Sequence, residues 1–212
     1  MTATNSSSLQ SLIHAIDQAG SSEQLISAVQ ALAAARQEAG IPTLIRALGF
    51  NNAGAAAIAV RGLVEMGTTA VKPLLELLDD YNYGARAWAI RALVGIGDPR
   101  ALDVLLAAAE ADFAPSVRRA ATKGLGFLQW QLLPDEQVAL AQKQVLESLL
   151  KITEDSDWSL RYAAIVGLQA LALALPSSPE TIIRLQQMSE TDTDRAVQAR
   201  SLLALKVLAD AS

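Results

Sequence analysis

Residues 79–93 read DDYNYGARAWAIRAL and hold Tyr81, Tyr83 and Trp88, three of the nine aromatic side chains in the sequence. Asp79, Asp80, Arg86 and Arg91 are interleaved with them. Each residue type brings a chemistry. A carboxylate moves protons to or from a bound group, a guanidinium grips a carboxylate in a planar fork, and an aromatic face lies against a flat apolar body while tyrosine keeps a polar tip wet. Asp79 falls at a predicted helix C-terminus, where a negative charge opposes the macrodipole by roughly 0.3–1 kcal/mol. It is either a proton donor or acceptor for a ligand, or a plain solvated acid. Asp79 is therefore a candidate acid–base group, and the elements that carry the cluster must decide which of its residues are structural.

Other chemistries are thin in this chain. It has no cysteine, so thiolate catalysis and thiolate metal ligation are absent, and its one histidine, His14, stands near the N-terminus. No metal site and no resident cofactor are expected. A net charge of −5 argues against nucleic acid as the main partner. The longest apolar run, VGLQALALAL, is too short to span a bilayer, and the start, MTATNSSSLQ, lacks the basic and apolar regions of a signal peptide. The expectation is a cytoplasmic protein with no membrane insertion.

Apolar residues make up 51% of the 212 positions, with Ala and Leu leading, and these favour helix over strand. The chain also repeats. Leu32, Leu63, Leu93, Leu125, Leu168 and Leu205 recur at intervals of 31, 30, 32, 43 and 37 residues. Eleven positions before each stand Ser21, Asn52, Asn82, Ala114, Asp157 and Asp194. Five of these are N-cap types, and the sixth is followed by Pro115 at the first helical position. Gly67 and Gly97, each four residues past a register leucine, suit a left-handed helix end. A second apolar segment precedes each cap: IPTLIRALG, TAVKPLLELL, PRALDVLLAAAE, VLESLLKI and TIIRLQQM. The fold predicted is all-α, an α-solenoid of about six helix pairs in one domain, 1–212. The long fourth interval reads as an insertion around 127–145.

The register sorts the charges. Asp80, Asp112, Asp155 and Asp192 share the position thirteen before the leucine, while Arg86, Arg118 and Arg161 share the one seven before it. Recurrence with the repeat points to a structural Arg–Asp ladder, each arginine tying the preceding turn in its own or the neighbouring repeat. Two positions before the leucine stand Arg61, Arg91 and Lys123 on the predicted solvent side. They form either a cationic ridge for spaced carboxylates or a solvated helix face. Phe50, Tyr81, Tyr83, Phe113 and Trp158 fall in predicted turns along one edge, where they either close the core or face a ligand.

The stretches LLELLDDYNYGARAWAIRALVGIGDPRALDVLLAAAE, ADFAPSVRRAATKGLG and DSDWSLRYAAIVGLQALA resemble the HEAT-like repeats of the phycobilisome lyases, and among them the smaller, F-type subunits of the heterodimeric E/F phycocyanobilin lyases. The resemblance covers residues 21–208 and is strongest over 79–105. It implies a heterodimer with an E-type subunit that attaches phycocyanobilin, as substrate, through a thioether to a cysteine of the phycocyanin α subunit. The His/Cys motif of the isomerising members is missing, so isomerisation is not expected. On that reading Arg91 with Arg61 or Lys123 would bind the bilin propionates. Tyr81, Tyr83, Trp88 and Trp158 would contact the pyrroles, and Asp79 or Asp80 would hydrogen-bond the ring nitrogens. A non-catalytic scaffold and a chaperone for phycobiliproteins remain alternatives on the same fold.

Overall fold

A computed structural model of the chain describes residues 2–78, 83–175 and 179–211, with side chains from Ser8 onward except that of Tyr83. The described residues contain helices and no strand, and no helix among them is long and apolar enough to cross a membrane. They form two compact units, residues 1–96 and 97–212.

The first unit holds three helix pairs: α1 (Thr2–Asp17) with α2 (Ser22–Ala34), α3 (Ile41–Leu48) with α4 (Ala53–Met66), and α5 (Val71–Leu77) with α6 (Tyr83–Ile96). The second helices stack in order, α2 on α4 and α4 on α6. The second unit repeats the plan with α7 (Leu102–Ala111) and α8 (Pro115–Leu125), α9 (Asp135–Ile152) and α10 (Trp158–Ala174), then α11 (Pro179–Thr191) and α12 (Arg195–Asp210). There α8 packs on α10 and α10 on α12.

Helix starts follow local chemistry. The side chains of Ser21, Asn52, Asp157 and Asp194 accept hydrogen bonds from the amides of Gln24, Ala55, Ser159 and Ala196, each relieving an orphan donor at a value of about 1 kcal/mol. Ala114 has no such side chain, and Pro115 at the next position presents no amide to satisfy. Gly67 and Gly97 adopt φ of +64° and +69°, as their place at helix ends requires. The predicted cap Asn82 lies outside the described residues.

The register leucines form the core. Leu32, Leu63, Leu93, Leu125 and Leu168 are fully buried, each contributing about 1.5–3 kcal/mol of burial. Leu205 is only partly buried, against a cluster of Ile165, Leu185, Met188, Val197, Ala204 and Leu208. Small residues set the helix spacing. Ala55, Ala56 and Ala59 of α4 have no exposed surface. A β-carbon on Gly126 would overlap the carbonyl oxygen of Gly167, so α8 and α10 meet backbone to backbone.

The extra residues at 127–145 divide between a 3-10 turn, Trp130–Leu132, and helix. Helix α9 runs for 18 residues against 10 for α7, the equivalent helix of the preceding pair. Leu132 and Leu140 of this segment are exposed.

Candidate functional site

Asp155 and Asp192 each do two jobs. Their Oδ1 atoms accept the amides of Asp157 and Asp194 at 2.9 Å, folding the turn before the next helix. Their carboxylates also receive the arginine of the repeat before. Arg118 donates to Asp155 at 2.7 Å, and Arg161 makes a two-pronged contact with Asp192. Within its own repeat each arginine binds backbone carbonyls, Arg118 that of Ala109 and Arg161 those of Asp155 and Ser156. The ladder therefore joins the arginine of one repeat to the aspartate of the following one, and the tie to the preceding turn runs through carbonyl oxygens. Asp112 folds its turn the same way, accepting the Ala114 amide at 2.9 Å. Arg86 is half-buried on α6.

The ladder is electrostatically tight. The guanidinium of Arg161 holds the Asp192 carboxyl below its usual range against the opposing effect of burial. At Asp155 burial pushes upward most strongly, and the Asp157 amide and Arg118 together outweigh it, so the net shift is also downward. In the last repeat the arginine position is Gln198, whose side-chain amide donates to the Asp192 carbonyl instead.

A different arrangement surrounds the second cation series. Arg91 does not stand out in solvent: it is half-buried, its guanidinium carbon 4.5 Å from the centre of the half-buried Trp88 ring one turn back on α6. Among the described residues Arg91 has no acidic partner. A guanidinium lying on an indole keeps its in-plane N–H edge available while the ring shields it from water. Arg61 is exposed on α4 and lines an open groove of about 200 Å³ with Gln30, Ala33, Ile58, Gly62 and Glu65. Glu65 is itself held by Arg36 at 2.8 Å, so among the described residues the charge left without an ion pair in this groove is that of Arg61. Both cations can take a ligand carboxylate. Lys123 is exposed on α8 of the second unit.

Of the predicted edge, Trp158 is 49% exposed at the start of α10 and Phe113 72% exposed in the turn before α8. Trp158 is the first residue of its helix rather than part of the turn, because its cap is Asp157, and α6 likewise begins at Tyr83. Asp79, Asp80 and Tyr81 lie outside the described residues, as does the Tyr83 side chain. Among the described residues no three His, Asp or Glu side chains gather closely enough to share a metal ion.

Register arithmetic passes over one further pair. Arg200 of α12 lies 6.0 Å from the centre of the Tyr162 ring on α10. Arg200 occupies the register position that Trp88 holds in its own repeat, five before the leucine, and neither it nor Tyr162 belongs to a recurring series. The available signal was an arginine at a register position that the other repeats fill with Ser27, Ile58, Trp88, Ala120 and Ala163, none of them charged.

The sequence profile of HEAT repeats matches residues 51–126 and 112–206. A phycocyanobilin lyase subunit beta from Nostoc sp. (strain PCC 7120) is 55% identical over 196 residues, covering 91% of this chain and 96% of that protein. A phycocyanin alpha phycocyanobilin lyase CpcF from Synechocystis sp. is 52% identical over 164 residues, 77% of each chain. Among solved structures, a chain from the complex of CpcE and CpcF of phycocyanin lyase from Nostoc sp. PCC7120 is similar with a TM-score of 0.75 at 55% identity, covering 79% of this chain and 99% of that one.

Proposed function

The chain belongs to the HEAT-repeat family of phycocyanobilin lyase beta subunits, and from that premise we infer that it is the smaller subunit of a heterodimeric bilin lyase. With a larger E-type subunit it attaches phycocyanobilin to a cysteine of the phycocyanin α subunit through a thioether. The observation that carries this reading is the near end-to-end likeness, at more than half identity, to a lyase subunit of similar length. The bilin is substrate rather than cofactor, and the reaction belongs to the cytoplasm, where bilin and newly made α subunit meet.

The chain's own residues support the reaction by binding and orientation. A free bilin is flexible and reacts unselectively with thiols, so the catalytic task is to hold one conformer and expose one face. Arg91, stacked on Trp88, and Arg61, in the α2–α4 groove, bind propionate carboxylates, each charge-assisted hydrogen bond adding roughly 1.5–3 kcal/mol. Lys123 is the alternative cation. Trp88, Tyr81 and Tyr83 flank the pyrrole plane, and Trp158 offers a further stacking surface. Asp79 or Asp80 hydrogen-bonds the pyrrole nitrogens and favours the protonated, more electrophilic bilin.

The test is co-expression of this chain, an E-type subunit, the phycocyanin α apo-subunit and a phycocyanobilin supply, omitting each in turn. Denaturation-resistant bilin fluorescence on the α subunit only when both lyase chains are present supports the reading. Stable association of the chains with a colourless α subunit refutes it in favour of a scaffold or chaperone.

A further inference from the structure

Within the second unit, the facing helices α10 and α12 carry an arginine that the repeat does not use. The Nη1 of Arg200 is buried and makes no hydrogen bond. Burial is the larger influence on its guanidinium, pushing the pKa down, and among the described residues Tyr162 acts in the opposite direction. The other shielded arginines of this unit are treated differently: Arg118, Arg161 and Arg184 each reach a carboxylate, on Asp155, Asp192 and Glu154. Asp192 and Asp194 precede the same helix, in the turn before α12. Asp192 is engaged by Arg161 and Asp194 caps its own helix. A partly desolvated cation that has no counter-charge among the described residues is costly to fold, and its persistence points to an anion that arrives from outside.

The surroundings indicate what carries that anion. Tyr162, Val166, Gln169 and Leu173 follow one another at helical spacing along one side of α10. Leu203 stands one turn beyond Arg200 on α12. Leu173 and Leu203 are 49% and 54% exposed, and the Oε1 of Gln169 is a second buried polar atom without a hydrogen bond. The strip thus offers a planar cation, an aromatic face and exposed aliphatic surface.

We propose that Tyr162 and Arg200 form a binding site for a carboxylate borne on a flat apolar body, the chemistry of a tetrapyrrole propionate. The guanidinium holds the carboxylate, and the tyrosine ring with the flanking aliphatic side chains packs against the body that bears it. The site rests on the lyase reading for the identity of the ligand, whereas its recognition of a carboxylate follows from Arg200 itself.

The test titrates the full chain with phycocyanobilin and with its dimethyl ester, which keeps the conjugated body and lacks the charges. Arg200→Met should weaken binding of the free acid about tenfold and leave binding of the ester unchanged. Arg200→Lys, which keeps the charge without the planar fork, should fall between the two. The melting temperature of Arg200→Met should equal or exceed that of the parent, because a desolvated charge has been removed. Unchanged affinity of Arg200→Met for the free acid overturns the proposal. So does a fall in melting temperature with binding by the folded fraction intact, which would make Arg200 a structural partner of Tyr162. Arg200-dependent acid binding without a coloured α subunit in the co-expression assay would sink the lyase reading and leave this site standing. A coloured α subunit beside unchanged binding would do the reverse.

Discussion

Arg161 donates from Nε and Nη2 to the two carboxylate oxygens of Asp192, each at 2.8 Å, linking α10 to the turn that starts α12. Their side chains are only 13% and 7% exposed, so neither charge can exchange its partner for water. Removing one partner strands the other, which typically costs 3–5 kcal/mol for a buried pair. Asp192→Asn should therefore lower the melting temperature by roughly 10 °C at the 2–4 °C per kcal/mol usual for a chain of this size. Thermal melts check this, and a shift below about 2 °C would show the pair to be dispensable. Arg86→Ala, at the same register position as Arg161, should also melt lower while its folded fraction retains bilin.

The same contacts set the acid limit of the fold. Asp192 and Asp155 both have carboxyl pKa values held below the ordinary value of about 4. A depressed folded-state pKa contributes stability that is complete above the unfolded value and drains away as pH falls through the folded one. Melting temperature should be flat in this respect from pH 8 to about 5 and drop below about 4. In Asp192→Asn the drop should be shallower, since one linked proton is gone. An acid slope identical to the parent's would show that Asp192 is not one of the groups responsible.

Arg91 is expected to behave in the opposite manner to Arg161. Its contact is with the Trp88 ring rather than a carboxylate, an interaction of about 0.5–1 kcal/mol at a partly exposed site. Arg91→Ala should leave the melting temperature within a few degrees of the parent and reduce the bilin that co-purifies with the lyase complex several-fold. Equal losses in both would assign Arg91 to the fold and remove it from the bilin site.

Where α8 crosses α10, the two glycines leave no room for side chains. An added β-carbon on Gly167 would lie 2.8 Å from the Thr122 carbonyl oxygen and 2.9 Å from a Leu149 methyl. Gly167→Ala should destabilise by about 1–3 kcal/mol through overpacking, measured by denaturant unfolding. A neutral result would mean that the helices can separate without cost.

The helix starts at Ser21, Asn52, Asp157 and Asp194, and the left-handed ends at Gly67 and Gly97, could be read from the chain because caps and positive φ are local properties of a few residues. The leucine register was legible for a related reason: a face buried once per repeat leaves a period in the sequence. Direction and partner were not legible. Spacing placed Arg118 and Arg161 opposite aspartates, but a long flexible side chain can reach backward or forward. Packing of one repeat on the next decided that the carboxylate comes from the following turn. Spacing likewise put Arg91 on the solvent side, and only the rotamer chosen on α6 laid it on Trp88. Tyr162 and Arg200, 38 positions apart, carry no repeat signal, and the stacking of α10 on α12 alone brings them together. The sequence by itself thus determined the helices, their caps and their buried faces, which depend on neighbours within a turn or two. Tertiary structure decided which charges are neutralised and which stay available to a ligand, because that depends on side chains meeting across helices.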